Sequence, residues 1–130
     1  MTADRRDRGF TLIELLVTVL ILGLLAAIAV PTLMSQRQKA AKAAVAAEMR
    51  SLRTAQEARS VENNPRYTAN FALLKVEGYN RNDDVTVHIV LTDGDNAYVA
   101  CAKHEIMDEW LAYSSVAETT SWSPDDCAAP

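Results

Sequence analysis

The stretch Arg5-Arg6-Asp7-Arg8-Gly9-Phe10-Thr11-Leu12-Ile13-Glu14-Leu15-Leu16 decides how the rest of the chain is read. A short basic segment stops at a glycine, and an apolar run begins at Phe10 and continues to Met34. One carboxylate, Glu14, lies inside that run. A charged side chain in a membrane segment costs on the order of 2.5–3.5 kcal/mol on insertion scales. Its presence is therefore a functional question. As a helix, residues 10–34 cover roughly 37 Å, enough for a hydrocarbon core of about 30 Å. The positive flank before the run predicts a cytoplasmic amino terminus, with the rest of the chain across the membrane. A cleaved secretory signal peptide, with Ala27-Ile28-Ala29 as its small-residue cleavage site, is the competing reading. The position of Glu14 at the start of the apolar core and the length of the run count against it.

Pro31 falls inside the helical pattern, where it removes a backbone donor and crowds the preceding turn, so a kink is expected there. Gly23 adds a second weak point, costing about 1 kcal/mol relative to alanine. Together they make Gly23–Pro31 the part of the helix easiest to bend or melt. From residue 35 to residue 62 the helix should continue in water. Ala41, Val45, Met49, Leu52 and Ala55 recur at the helical period and form one apolar stripe that needs a partner surface. Asn63-Asn64-Pro65 should end it.

Residues 63–130 have a different character. A short helical turn is expected over Asn70–Lys75. Val85–Leu91 and Ala97–Lys103 read as strands joined by a turn at Asp93-Gly94-Asp95-Asn96, and Trp110–Ser114 as a third. The tail from Ala117 to Pro130 reads as a loop. A small antiparallel sheet with one apolar face is what the helix stripe needs to bury itself, giving an α+β fold.

The whole chain of 130 residues carries a formal net charge of −4. Residues 10–130 hold ten basic and fifteen acidic groups, which argues against a general nucleic-acid binder. Folding would have to gather Lys75, Arg81 and Lys103 to make even a local basic patch. The two cysteines, Cys101 and Cys127, lie in the last third, and an even count beyond an export segment predicts a disulfide. Enzyme chemistry finds little support. His88 and His104 sit in or beside strands, and no nucleophile comes with a companion pattern. No C-x₂-C pair points to zinc, and the Asp93–Asn96 turn lacks the twelve-residue calcium pattern. Asp83-Asp84 and Asp125-Asp126 read as solvated loop charges. Trp110, Trp122, Tyr98 and Tyr113 read as core or subunit-contact residues.

Gly9-Phe10-Thr11-Leu12-Ile13-Glu14, followed by the apolar helix, resembles the processing motif of type IV prepilins and related pseudopilins. The detailed resemblance covers residues 5–34, and beyond them it is architectural. It implies a type IV pilin-like fold in which residues 1–9 form a cytoplasmic leader. A prepilin peptidase would cut between Gly9 and Phe10 and methylate the new terminus. Residues 10–34 would anchor the precursor in the cytoplasmic membrane and later drive polymerisation, with Glu14 meeting the Phe10 amine of another copy. Gly23 and Pro31 match the family's helix-perturbing positions, and Cys101 and Cys127 its carboxy-terminal disulfide. The implied partners are identical copies in a helical filament, the prepilin peptidase, an assembly ATPase and a membrane platform protein. The filament would be extracellular and serve adhesion, motility or DNA uptake, with DNA or surface ligands as its targets. No cofactor, metal or catalytic residue is implied. Three rival readings stay open: a type II secretion pseudopilin, a minor pilin, and a membrane-anchored binding module that never polymerises.

Overall fold

The structure, a computed structural model, describes residues 10–62 and 66–124. Its elements are α1 (Leu12–Glu62), α2 (Phe71–Val76), β1 (Val85–Thr92), β2 (Ala97–His104), β3 (Trp110–Ser114) and β4 (Thr119–Ser123). The chain divides into two compact units, Met1–Arg37 and Gln38–Pro130, and α1 contributes to both.

In the first unit the apolar side chains of α1 are exposed all round, and the helix is long and apolar enough to cross a membrane. Its hydroxyls turn back on the helix itself. Thr18 Oγ1 donates to the Glu14 carbonyl (2.7 Å) and Thr32 Oγ1 to the Ile28 carbonyl (3.1 Å). Such back-bonding removes the cost of a bare hydroxyl in lipid. The helix runs through Pro31. Among the described residues a methyl group added at Gly23 would meet nothing within 4 Å, so packing among them does not require glycine there.

In the second unit Ala41, Val45, Met49, Leu52 and Ala55 are all buried, as their spacing predicts. They pack with Leu74, Tyr79, Val85, Val87, Tyr98, Ala100, Ala102, Leu111 and Tyr113. The sheet is antiparallel throughout, in the order β1-β2-β3-β4. Alternation sends Ala100, Ala102, Leu111 and Tyr113 to the α1 side. Val99, Cys101, Trp110 and Ala112 form a second cluster on the opposite face. β3 is therefore buried along its whole length.

The fourth strand corrects the expectation of a loop from Ala117 onward. Thr-Thr-Ser-Trp-Ser carries no apolar alternation, because β4 is a mostly exposed edge strand held by its pairing with β3. Only Trp122 marks it. Lys42 of α1 lies 5.0 Å above the Trp122 ring while its Nζ sits 2.9 Å from Glu109 Oε2, which ties the helix to that edge.

The connection after α1 is built from local rules. Asn70 caps α2 by accepting from the Ala72 amide at 2.9 Å. Gly78 (φ +90°) ends it, with Gly78 N donating to Lys75 O and Tyr79 N to Leu74 O. This paired closure needs a residue free to take positive φ, and it delivers Tyr79 into the core. There the Tyr79 hydroxyl donates to Oε1 of the buried Glu48, which also accepts from the Asn82 amide. Burial first, and then the Glu48 contact, push the Tyr79 phenol well above its ordinary range, so it remains a donor.

Gln56 is wholly buried and binds Thr68 twice: its Nε2 donates to the Thr68 carbonyl (2.6 Å) and its Oε1 accepts from the Thr68 amide (3.0 Å). Gln56→Leu would leave both backbone groups unpaired. It is expected to destabilise the second unit by about 2–4 kcal/mol, read as a lower denaturation midpoint of the full chain in detergent by tryptophan fluorescence.

Candidate assembly site at the start of the helix

The site begins where α1 begins. Phe10 is 84% exposed and precedes the helix; Thr11 occupies the capping position, with Leu12 as the first helical residue. Thr11 and Glu14 bind each other reciprocally. Glu14 N donates to Thr11 Oγ1 (3.3 Å), and Glu14 Oε2 accepts from Thr11 N (3.4 Å) and Thr11 Oγ1 (3.2 Å). This is a capping box, in which two of the helix's orphan amides find side-chain acceptors. The carboxylate also lies at the positive end of the helix dipole, worth about 0.3–1 kcal/mol at an exposed helix end.

Thr11 is the residue that sequence reasoning missed. The signal is a Thr-x-x-Glu spacing ahead of an apolar run, which is a capping pattern as well as part of the processing motif. Its consequence is that Glu14 does not point at random. Its Oε2 is turned toward Thr11, the residue that follows the one whose nitrogen becomes the terminal amine if the chain is cut before Phe10. Among the described residues no cation lies within salt-bridge distance of Glu14.

Gly9 and Cys127 lie outside the described residues, as does the doublet Asp125-Asp126. Cys101 is fully buried on the sheet face opposite α1. Asp93–Asn96 forms the β1–β2 turn, with Asp93, Gly94 and Asp95 all at positive φ. Among the described residues, no group of three or more His, Cys, Asp or Glu side chains is arranged to hold a metal. Lys75 and Arg81 flank one depression beside Phe71. Lys103 lies apart, over the Trp110 ring on the other sheet face. His88 packs edge-on against that same ring at 5.3 Å.

Residues 4–30 match the family described as the prokaryotic N-terminal methylation motif. Over 130 aligned residues the chain is 31% identical to the type IV wide pilus major component PilA4 of Thermus thermophilus, covering 95% of this chain and 98% of that one. It is 36% identical over 73 residues to the type II secretion system core protein G of Escherichia coli, covering 56% of this chain and 50% of that one. The type IV major pilin protein PilA of Myxococcus xanthus is 43% identical over 51 residues, covering 39% of this chain and 23% of that one.

Proposed function

The chain belongs to the type IV pilin family, and we propose that it is the structural subunit of a type IV pilus, made as a membrane-anchored precursor and polymerised through the first half of α1. The observation that carries this reading is the end-to-end similarity to a pilus major component, which spans the apolar helix and the sheet module alike. The similarity to the secretion core protein G covers 56% of this chain, so pseudopilin is the second reading.

In this reading the leader, residues 1–9, is removed between Gly9 and Phe10 by a prepilin peptidase, and Phe10 is N-methylated. The precursor sits in the cytoplasmic membrane with its sheet module outside. An assembly ATPase and platform protein then extract it into an extracellular, homo-oligomeric filament. Gly23 and Pro31 provide a stretch that loosens as helices pack. Among the described residues Gly23 has no steric partner, which fits a use in backbone weakness or in contact with another copy. The filament serves adhesion, motility or DNA uptake.

Shearing surface filaments and sequencing their main protein by mass spectrometry tests the reading. The expected species starts at methylated Phe10. A start at Val30 or Pro31 would identify a secretory signal peptide instead. Trace amounts would indicate a minor subunit, and absence an anchored module that never polymerises.

The proposed Cys101–Cys127 disulfide would pin the carboxy-terminal segment to the sheet face opposite α1. It closes a loop of about 26 residues, worth roughly 3 kcal/mol in the chain-entropy model. Cys101→Ser, or reduction, is expected to lower stability by about 2–5 kcal/mol. Thiol quantification of the exported protein checks the pairing, since two reactive thiols would remove it.

A further inference from the structure

Arg50 and Arg53 lie three residues apart on one face of α1 and, with Thr54 and Glu57, line a surface depression of about 420 Å³. Among the described residues neither arginine forms a salt bridge. The carboxylate lining the depression is engaged elsewhere, since Glu57 Oε1 accepts from the Tyr67 hydroxyl at 3.4 Å. Thr54 is exposed, but its hydroxyl turns back on the helix and donates to the Arg50 carbonyl. Arg53 lies 4.2 Å above the Tyr113 ring. Tyr113 is backed by Tyr98 and Tyr98 by Tyr67, at centroid distances of 5.7 and 4.8 Å. An aromatic floor thus lies under one guanidinium while a second arginine lines the depression beside it. A fixed planar fork of this kind matches a carboxylate, with which it can form two parallel hydrogen bonds.

We propose that the Arg50–Arg53 depression receives acidic side chains from a neighbouring copy of this chain; the inference rests on the filament reading above. The occupant follows from how charge is divided along the chain. Residues 36–62 hold six basic and three acidic groups, whereas residues 66–124 hold four basic and nine acidic. The helix surface is therefore positive and the module beyond it negative. Two acidic doublets stand at the two ends of β1: Asp83-Asp84 before it, and Asp93 and Asp95 in the turn after it. None of the four forms a salt bridge among the described residues. A basic site on one element and acidic sites on another make a head-to-tail contact. Each copy gives and receives, and such a contact builds an open helical filament when its rotation does not close into a ring. Charge complementarity of this sort also fixes register between copies.

The test uses the full-length chain in cells that assemble it, with membrane insertion, processing and surface filaments measured separately. Arg50→Glu is the first variant, because the Arg50 side chain is exposed and its reversal leaves the Tyr113 stack intact. Arg50→Glu/Arg53→Glu is the second. Both should be inserted and processed normally, and filament yield should fall at least about tenfold. Reversal of one acidic doublet, Asp83→Lys/Asp84→Lys or Asp93→Lys/Asp95→Lys, should restore filaments to the Arg50→Glu chain. Wild-type filament yield from Arg50→Glu overturns the proposal, as does a defect that neither doublet reversal corrects. Should the double variant fail to accumulate, Arg50→Glu alone decides. A wild-type chain that forms no filaments would overturn the pilin reading itself, and this proposal with it.

Discussion

Gly9→Leu is expected to leave a full-length precursor held in the membrane and no filament at all. In the proposed processing step the peptidase must accommodate an extended backbone at the bond it cuts, and a residue without a side chain gives the closest approach. A branched side chain there blocks the approach without touching the helix, which begins at Leu12. Insertion should be unchanged, since residues 10–34 keep their apolar character. In the same reading the uncut leader keeps its three arginines on the cytoplasmic side. It also keeps the Phe10 nitrogen inside an amide, so no terminal amine forms. Mass spectrometry of membrane extracts should find only the intact chain, against a wild type starting at methylated Phe10. Processing of the Gly9→Leu chain at the wild-type rate would place the cut elsewhere.

Most of the architecture was legible because two periodicities dominate the chain. Five apolar residues at helical spacing from Ala41 to Ala55 marked the buried face of α1, and all five are in the core. Alternation and an Asp-Gly turn marked β1 and β2 to within a residue. β4 escaped because an exposed edge strand draws its stability from its neighbour, so Thr119–Ser123 shows no alternation to read. The buried polar pair Glu48 and Gln56 escaped for a related reason. Their burial is decided by residues far along the chain, Tyr79 and Thr68, which supply the hydrogen bonds that make it tolerable. At the helix start, the motif singled out Glu14 as the proposed assembly residue. It did not reveal that Thr11 orients the carboxylate, because the same letters that read as a processing signal also spell a cap.

That orientation sharpens what Glu14→Val should do. The capping box shows that Glu14 is not bare before assembly: Thr11 supplies two donors, and the helix start supplies a favourable dipole. Those contacts moderate the cost of a carboxylate in the membrane, but they do not neutralise its charge. In the filament reading, the Phe10 amine of an incoming copy does so, in a setting of low dielectric where the attraction far exceeds its value in water. Valine removes the expensive charge, so insertion should be easier. Cleavage should persist, because the bond cut lies outside the altered residue. Assembly should fail, because the incoming amine is then buried without a counter-charge, at a cost of about 3–5 kcal/mol, or roughly 10²–10⁴-fold in equilibrium. Glu14→Gln keeps shape and can still accept from Thr11, yet it lacks the charge and should rescue little. Thr11→Val separates the two roles of the site. It loses the cap, worth about 1 kcal/mol, but keeps the carboxylate, so its assembly defect should be much the smaller. Each variant is expressed alone and then mixed with wild type, with insertion, processing and surface filaments followed independently. Normal filaments built solely from Glu14→Val subunits would show that apolar helix packing suffices and that the charge pair is dispensable. An assembly defect in Thr11→Val as deep as that of Glu14→Val would instead make orientation of the carboxylate, rather than its charge alone, the requirement for polymerisation.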